Sequence, residues 1–316
     1  MSKDAGQYDI WDLQPADPNV FQRLEAEQLG SKRKFWFSLD NQHQPWLFKY
    51  ARKNTGEHWS EKIAAELVPL LKLPAARVEL ARFGGDMGVA CESFMPYVND
   101  PETRQHIKQG ELVHGNEALA GWVTGYDKNK TFRQANHTWE NIRKAIEARF
   151  PGQDAAPHLE RLGGLIVLDA LIGNVDRHHE NWALLLVRRA DRGEPDLSIA
   201  PSYDHASSLG RELTDARRLD LMQHGRVGHY VEHGHGGIYW DPGEKHAPCP
   251  MELLRRVAEQ SPAIVKPWLD TLRTLDEDRL MHTIDRGPDQ CMSAAQKEFC
   301  RAFLRYTMSQ LRCIAP

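Results

Sequence analysis

The chain reads as an α+β protein in two lobes. A small antiparallel-sheet lobe with one helix covers residues 1–98, and a larger, mainly helical lobe covers residues 99–316. Three observations predict this. Short runs of bulky residues bounded by turn residues recur in the first part, around a single stretch of helical periodicity. After them, apolar spacing is mostly helical. A length of 316 residues, with 41% hydrophobic and 27% charged side chains, suits an ordinary globular chain with a substantial core.

Residues ahead of Gly30 are mixed and polar and suggest no definite element. Residues 34–39 and 45–50 predict two strands about the turn Asp40-Asn41-Gln42. A helix then opens near Ser60, a good N-cap residue type, with Ile63, Leu67, Leu70 and Leu71 on one face. Pro69 removes a hydrogen bond and costs about 3 kcal/mol inside a helix, so a kink or early end is expected there. Residues 77–83 and 87–94 predict a second strand pair across Gly84-Gly85-Asp86. Residues 158–172 are apolar around much of a helix, which implies burial. Short strands are expected at 182–187 and 197–200, and a long Gly-, His- and Arg-rich loop at 210–250. After Ser293, the stripe Phe299, Cys300, Phe303, Leu304, Met308 and Leu311 predicts a closing helix.

A net charge of −4 offers no general attraction to nucleic acid or anionic membrane. The opening MSKDAGQYDIWDL lacks the apolar core of a signal peptide, and the apolar segment 162–172 is too short to span a bilayer. Five cysteines without paired-ligand spacing fit a reducing cytoplasm.

The chemistry concentrates in LIGNVDRHHENWALL, residues 171–185, where Asp176 and Asn181 stand five apart between a buried helix and an apolar strand. A carboxylate there can orient an attacking hydroxyl while a neighbouring amide oxygen helps hold a metal on phosphates. Such a site needs another metal ligand from a later strand, and IAPSYDHASS supplies Asp204, 28 residues after Asp176. The order Asp, Asn at plus five, then Asp is that of protein-kinase sites. Upstream, Lys49 in a strand could reach phosphates, with Glu61 as its ion-pair clamp and Glu66 as the fallback. Gly30 and Ser31, followed by Lys34, could cover phosphates with backbone N–H groups and an ammonium.

NVDRHHEN (174–181) and APSYD (200–204) fit the patterns N-x-D-x-H-x-x-N and A-P-x-Y-D, and here the sequence resembles the HipA-like kinases. The resemblance runs over roughly residues 25–312 and implies a fold related to protein and phosphoinositide kinases. It also implies that Asp176 is the catalytic base, that Asn181 and Asp204 bind Mg²⁺, and that Lys49 contacts ATP. Residues 92–94, with Glu92 and Phe94, would form a hinge whose backbone meets adenine. A protein Ser/Thr acceptor and a DNA-binding antitoxin-like partner are expected, with no direct nucleic-acid or membrane contact. The toxin that names the family has an extra N-terminal domain, for which this chain has little room. It also has a regulatory serine three residues before the loop glycine, where Glu27 stands here, with Ser31 nearby.

Each residue also has an ordinary reading. Asp176 and Asn181 alone are turn formers, Lys49 alone is a solvated strand residue, and Glu61 alone is a dipole-favoured first-turn carboxylate. Their order along the chain favours a kinase. A metallophosphoesterase would need an upstream D-x-H pair, which the sequence lacks. His178 therefore organises the loop through hydrogen bonds. His224, His229, His233, His235, His246 and Cys249 are too irregularly spaced for a typical zinc site and read as a substrate-facing loop. A lipid, small-molecule or AMP transferase on the same fold, and a non-catalytic nucleotide-binding module, are the alternatives.

Overall fold

The computed structural model describes residues 6–14, 21–26, 33–39, 44–99, 106–188 and 195–315. Its first sheet is built from β1 (Ile10–Leu13), β2 (Phe21–Ala26), β3 (Lys34–Leu39), β4 (Trp46–Tyr50), β5 (Val78–Phe83) and β6 (Asp86–Glu92), with helix α1 (Glu57–Leu67) between β4 and β5. The strand order is β1-β5-β6-β4-β3-β2, antiparallel except for β1 on β5. β1 and β2 lie in the segment that suggested no element.

Alternation gives the sheet two faces. Phe35, Phe37, Trp46 and Phe48 are buried together with Ala81 and Ala90, and the Phe35 ring lies 5.4 Å from Phe48 and 4.8 Å from Phe83. The intervening positions, Lys34, Trp36, Leu47 and Lys49, therefore face the other way, and all four line the main cleft. Near that side α1 packs, with Ala65 against Val78, Leu80, Val89 and Cys91.

Helix α1 begins four residues earlier than expected, with Gly56 rather than Ser60 at its N-cap. Ser60 is buried inside the helix, where its hydroxyl donates to the Ser208 carbonyl at 2.9 Å. A tertiary bond, not capping, accounts for that serine. The helix stops at Leu67 and passes into a tight turn, Val68–Leu71, with Pro69 in its first positions. That is the early end the proline requires.

The remainder contains a strand pair, β7 (Tyr97–Asn99) with β8 (His106–Lys108), then β9 (Gly110–His114) and helices α2 (Gly115–Ala120), α3 (Trp139–Arg149) and α4 (Ala155–Ile172). Strands β10 (Ala183–Val187) and β11 (Asp196–Ile199) complete a small antiparallel sheet ordered β11-β10-β9. α5 (Asp215–Gln223) and α6 (Val227–Glu232) fall where a long loop was expected. Thr214 caps α5 by accepting from the Arg217 N–H, and Leu221, Val227 and Val231 supply apolar anchors that are sparse among His and Gly. α7 (Pro250–Gln260), α8 (Pro262–Thr274), α9 (Glu277–Asp285) and α10 (Ala294–Cys313) follow. Ser293 and Gln296 form a capping box on α10. Among the described residues no helix is long and apolar enough to cross a membrane.

α4 is buried continuously from Leu162 to Ile172 and packs against α7, α8 and α10. It ends at Gly173, whose φ of 62° is left-handed. A Cβ there would sit 2.4 Å from Phe303 Cζ on α10. Gly173→Ala thus combines backbone strain with a clash in the core. It should lower stability by about 2–4 kcal/mol in urea unfolding monitored by circular dichroism.

Candidate active site

The loop after α4 is organised by a buried guanidinium. Arg177 donates from Nε and Nη2 to the Asp169 carboxylate at 2.9 and 2.7 Å, and from Nη1 to the Asn181 carbonyl at 2.7 Å. Asn174 Nδ2 adds a third donor to Asp169 at 2.9 Å. Inside this frame the Asn181 amide donates to the Asp176 carbonyl at 2.7 Å, while the Asp176 N–H donates to Asn174 Oδ1 at 3.1 Å. The side chain of Asp176 is left 53% exposed at the cleft. His178 accepts the Glu180 N–H at Nδ1, 3.2 Å away, and its Nε2 lies 3.9 Å from Asp176 Oδ1. Both contacts lie within the loop.

Asp204 follows β11 in a left-handed conformation, φ 58°, which aspartate tolerates better than most residues. Lys49 Nζ lies 3.3 Å from its Oδ1. Burial is the largest single influence and disfavours the ammonium. The Asp204 charge, smaller contributions from Cys91 and Glu61, and the hydrogen bond to Asp204 together outweigh it and hold the lysine pKa above its ordinary value. A cleft of about 280 Å³ separates the sheet from this loop. Lys34, Lys49 and Glu61 line one side, Asp176, His178, Asn181 and Asp204 the other, with Glu92 and Phe94 also contributing.

Residues 27–268 match the family model described as the HipA-like C-terminal domain. The chain belongs to this family. Its fold is similar to that in the crystal structure of the Helicobacter pylori proinflammatory kinase CtkA, with TM-score 0.71 and 20% identity over 96% of this chain and 97% of that one. It is also similar to HipA of Shewanella oneidensis MR-1, solved with HipB and operator DNA, with TM-score 0.54 and 13% identity over 91% of this chain. The match spans 64% of that HipA chain, just under two thirds of its length. A comparison with curated proteins finds no sequence match.

In this HipA-like chain the expected clamp between Lys49 and Glu61 is replaced by the contact of Lys49 with Asp204. Glu61 lies deeper, 1% exposed, with Oε1 3.7 Å from His205 Nδ1, and reaches Lys49 through its field. The fallback Glu66 instead receives Lys62 at 2.7 Å. In the segment expected to serve as the hinge, the Glu92 N–H donates to the Arg77 carbonyl and the Ser93 N–H to the Pro45 carbonyl. Gly30 and Ser31, like Glu27, lie outside the described residues. Among the described residues no three His, Cys, Asp and Glu side chains gather into a metal cluster.

Sequence reasoning passed over Asp169 and Arg177. The signal was available, because a carboxylate interrupting a buried apolar helix needs a partner. It also passed over the buried histidines. His137 accepts the Trp182 indole N–H at Nε2, 3.1 Å away, and contacts the Gly237 carbonyl through Nδ1 at 2.7 Å. Nδ1 must therefore carry the proton of a neutral ring. Burial lowers the pKa of His137 to about 3, and burial likewise lowers those of His179 and His205, to about 4 and 3.

Removing one partner of the buried pair, as in Asp169→Ala, should cost about 3–5 kcal/mol in denaturant unfolding, since Arg177 keeps an uncompensated charge. The sign for His137 follows from its lowered folded pKa. Between about pH 6.5 and 3 the unfolded chain binds the extra proton, so the stabilisation is complete above 6.5 and declines as pH falls. By pH 5 the His137 contribution to the loss should be on the order of 2 kcal/mol. His137→Gln should make that part of the stability–pH curve shallower by about this amount, the similar contributions of His179 and His205 remaining.

Proposed function

We propose that this HipA-like chain is an ATP- and Mg²⁺-dependent protein kinase that transfers the γ-phosphate to a Ser or Thr hydroxyl. The supporting observation is the meeting of Lys49, Asp176, Asn181 and Asp204 at one cleft, from segments as far apart as 155 residues. The donor set suits the cation: a carboxylate and an amide are hard oxygen ligands, and Mg²⁺ commonly takes few protein ligands beside phosphates and water. Mg²⁺ held by Asn181 and Asp204 would supply charge neutralisation on the phosphates. Lys34 and Lys49 stand directly opposite in the β3–β4 register. Like charges so paired repel, and an anion beside them offsets the repulsion. Asp176, exposed and backed by the Arg177 frame, orients the acceptor hydroxyl and takes its proton. Phe94 and Met95 at the cleft supply apolar surface for a base.

A kinase activity accords with the similarity to the kinase CtkA, and the protein acceptor is what the resemblance to HipA-like kinases implies. A DNA-binding partner of the HipB kind is part of the same proposal. Asp176→Ala should reduce radiolabel transfer from ATP, to itself or to a generic protein acceptor, on the order of 10²–10⁴-fold. Nucleotide binding by calorimetry should survive. Undiminished labelling would reject the assignment, and a product mass gain of AMP instead of phosphate would replace the reaction.

A further inference from the structure

One hydroxyl of the chain already makes the bond that an acceptor would make. Ser207 Oγ donates to Asp176 Oδ2 at 3.2 Å. Its backbone cannot easily drift, because the Ser207 carbonyl accepts the Val175 N–H at 3.2 Å, one residue before Asp176. The same hydroxyl accepts from Arg211 Nη2 at 3.1 Å. Arg211 Nη1 donates at 2.9 Å to Glu57, a buried carboxylate that also receives Arg52. Arg211 Nε is buried and has no hydrogen-bond partner among the described residues. A serine on the carboxylate, beside a guanidinium with an unused donor, is the arrangement a phosphoserine needs on both sides of its formation.

We infer that Ser207 is an internal acceptor, phosphorylated in cis at this site, and that the product limits further turnover. This rests on the kinase reading. Ser207 Oγ forms a bond to the γ-phosphorus while the bond from that phosphorus to the β,γ-bridging oxygen breaks. ADP leaves, and the hydroxyl proton passes to the Asp176 carboxylate. The resulting phosphate, with about −1.5 to −2 charges, takes Arg211 as its counter-ion. It also occupies the place of any other hydroxyl at Asp176 and stands near Asp204. Ser208, the adjacent candidate, is buried and bonded to Ser60 and to the His205 carbonyl, so it is not the acceptor.

The test uses the full chain with Mg²⁺ and ATP, and residue-level mapping by mass spectrometry. Phosphate should appear on Ser207, at a first-order rate independent of protein concentration. It should vanish in Ser207→Ala and return on the hydroxyl of Ser207→Thr. A readout independent of turnover is nucleotide affinity: by calorimetry, Ser207→Glu should bind MgADP at least tenfold more weakly than Ser207→Ala. Phosphate only at other positions, or labelling of an added protein acceptor with none on Ser207, would overturn the inference and leave the kinase assignment standing. A rate rising with protein concentration would overturn transfer in cis. Equal MgADP affinities of the Glu and Ala variants would overturn the self-limiting role. Absence of transfer to both the chain and added acceptors would remove the kinase assignment and the inference together.

Discussion

Arg177 is a residue whose misplacement would undo the site. Its guanidinium is almost fully buried against the last turns of α4, where an unpaired charge would be costly. The loop adopts the conformation that satisfies it, with the guanidinium donating two bonds to Asp169 and one to the Asn181 carbonyl. Once the backbone wraps that cation, Asp176 and the Asn181 side chain have little choice of direction. Gly173 makes the wrap feasible by reversing the chain where a side chain would strike Phe303. The cleft chemistry is thus fixed from behind, by groups that never meet a substrate.

Much of this could be read from the residues. Short runs of bulky side chains gave away β3 and β4, Pro69 marked the end of α1, and the apolar stripe after Ser293 marked α10. Linear order sufficed to bring Lys49, Asp176, Asn181 and Asp204 to one cleft. What escaped depends on partners distant in sequence. β1 exists because it lies parallel to β5 across about seventy residues of chain, and nothing local signals that. α5 is polar and short, held by Thr214 and the buried Arg218, which donates to the Gly210 carbonyl. The company of Lys49 was equally invisible, since the choice between Glu61 and Asp204 depends on depth rather than spacing.

The histidines teach a related lesson. Two adjacent rings at 178 and 179 sit beside carboxylates, and the structure uses the buried one, His179, as a neutral hydrogen-bonding piece. His179 meets the Tyr126 hydroxyl at 2.7 Å, and His205 meets the Ser202 hydroxyl at 2.6 Å. A buried imidazole with one donor and one acceptor fills a polar gap without adding charge, which suits a loop already carrying Arg177.

Helix α1 is stitched to the helical side as well as to its own sheet. Ser60 reaches Ser208, the Gly56 N–H reaches the Arg211 carbonyl, and just before β5 the Ala76 N–H reaches the Ser202 carbonyl. These links cross the boundary on which a hinge-like opening would turn. A rigid swing of the whole sheet would have to break all of them at once. The contact of Lys49 with Asp204 ties β4 across the cleft in the same way. That leaves the outer ribbon of β2 and β3 as the part with fewest such ties, so ligand entry and departure call for a flap rather than a jaw.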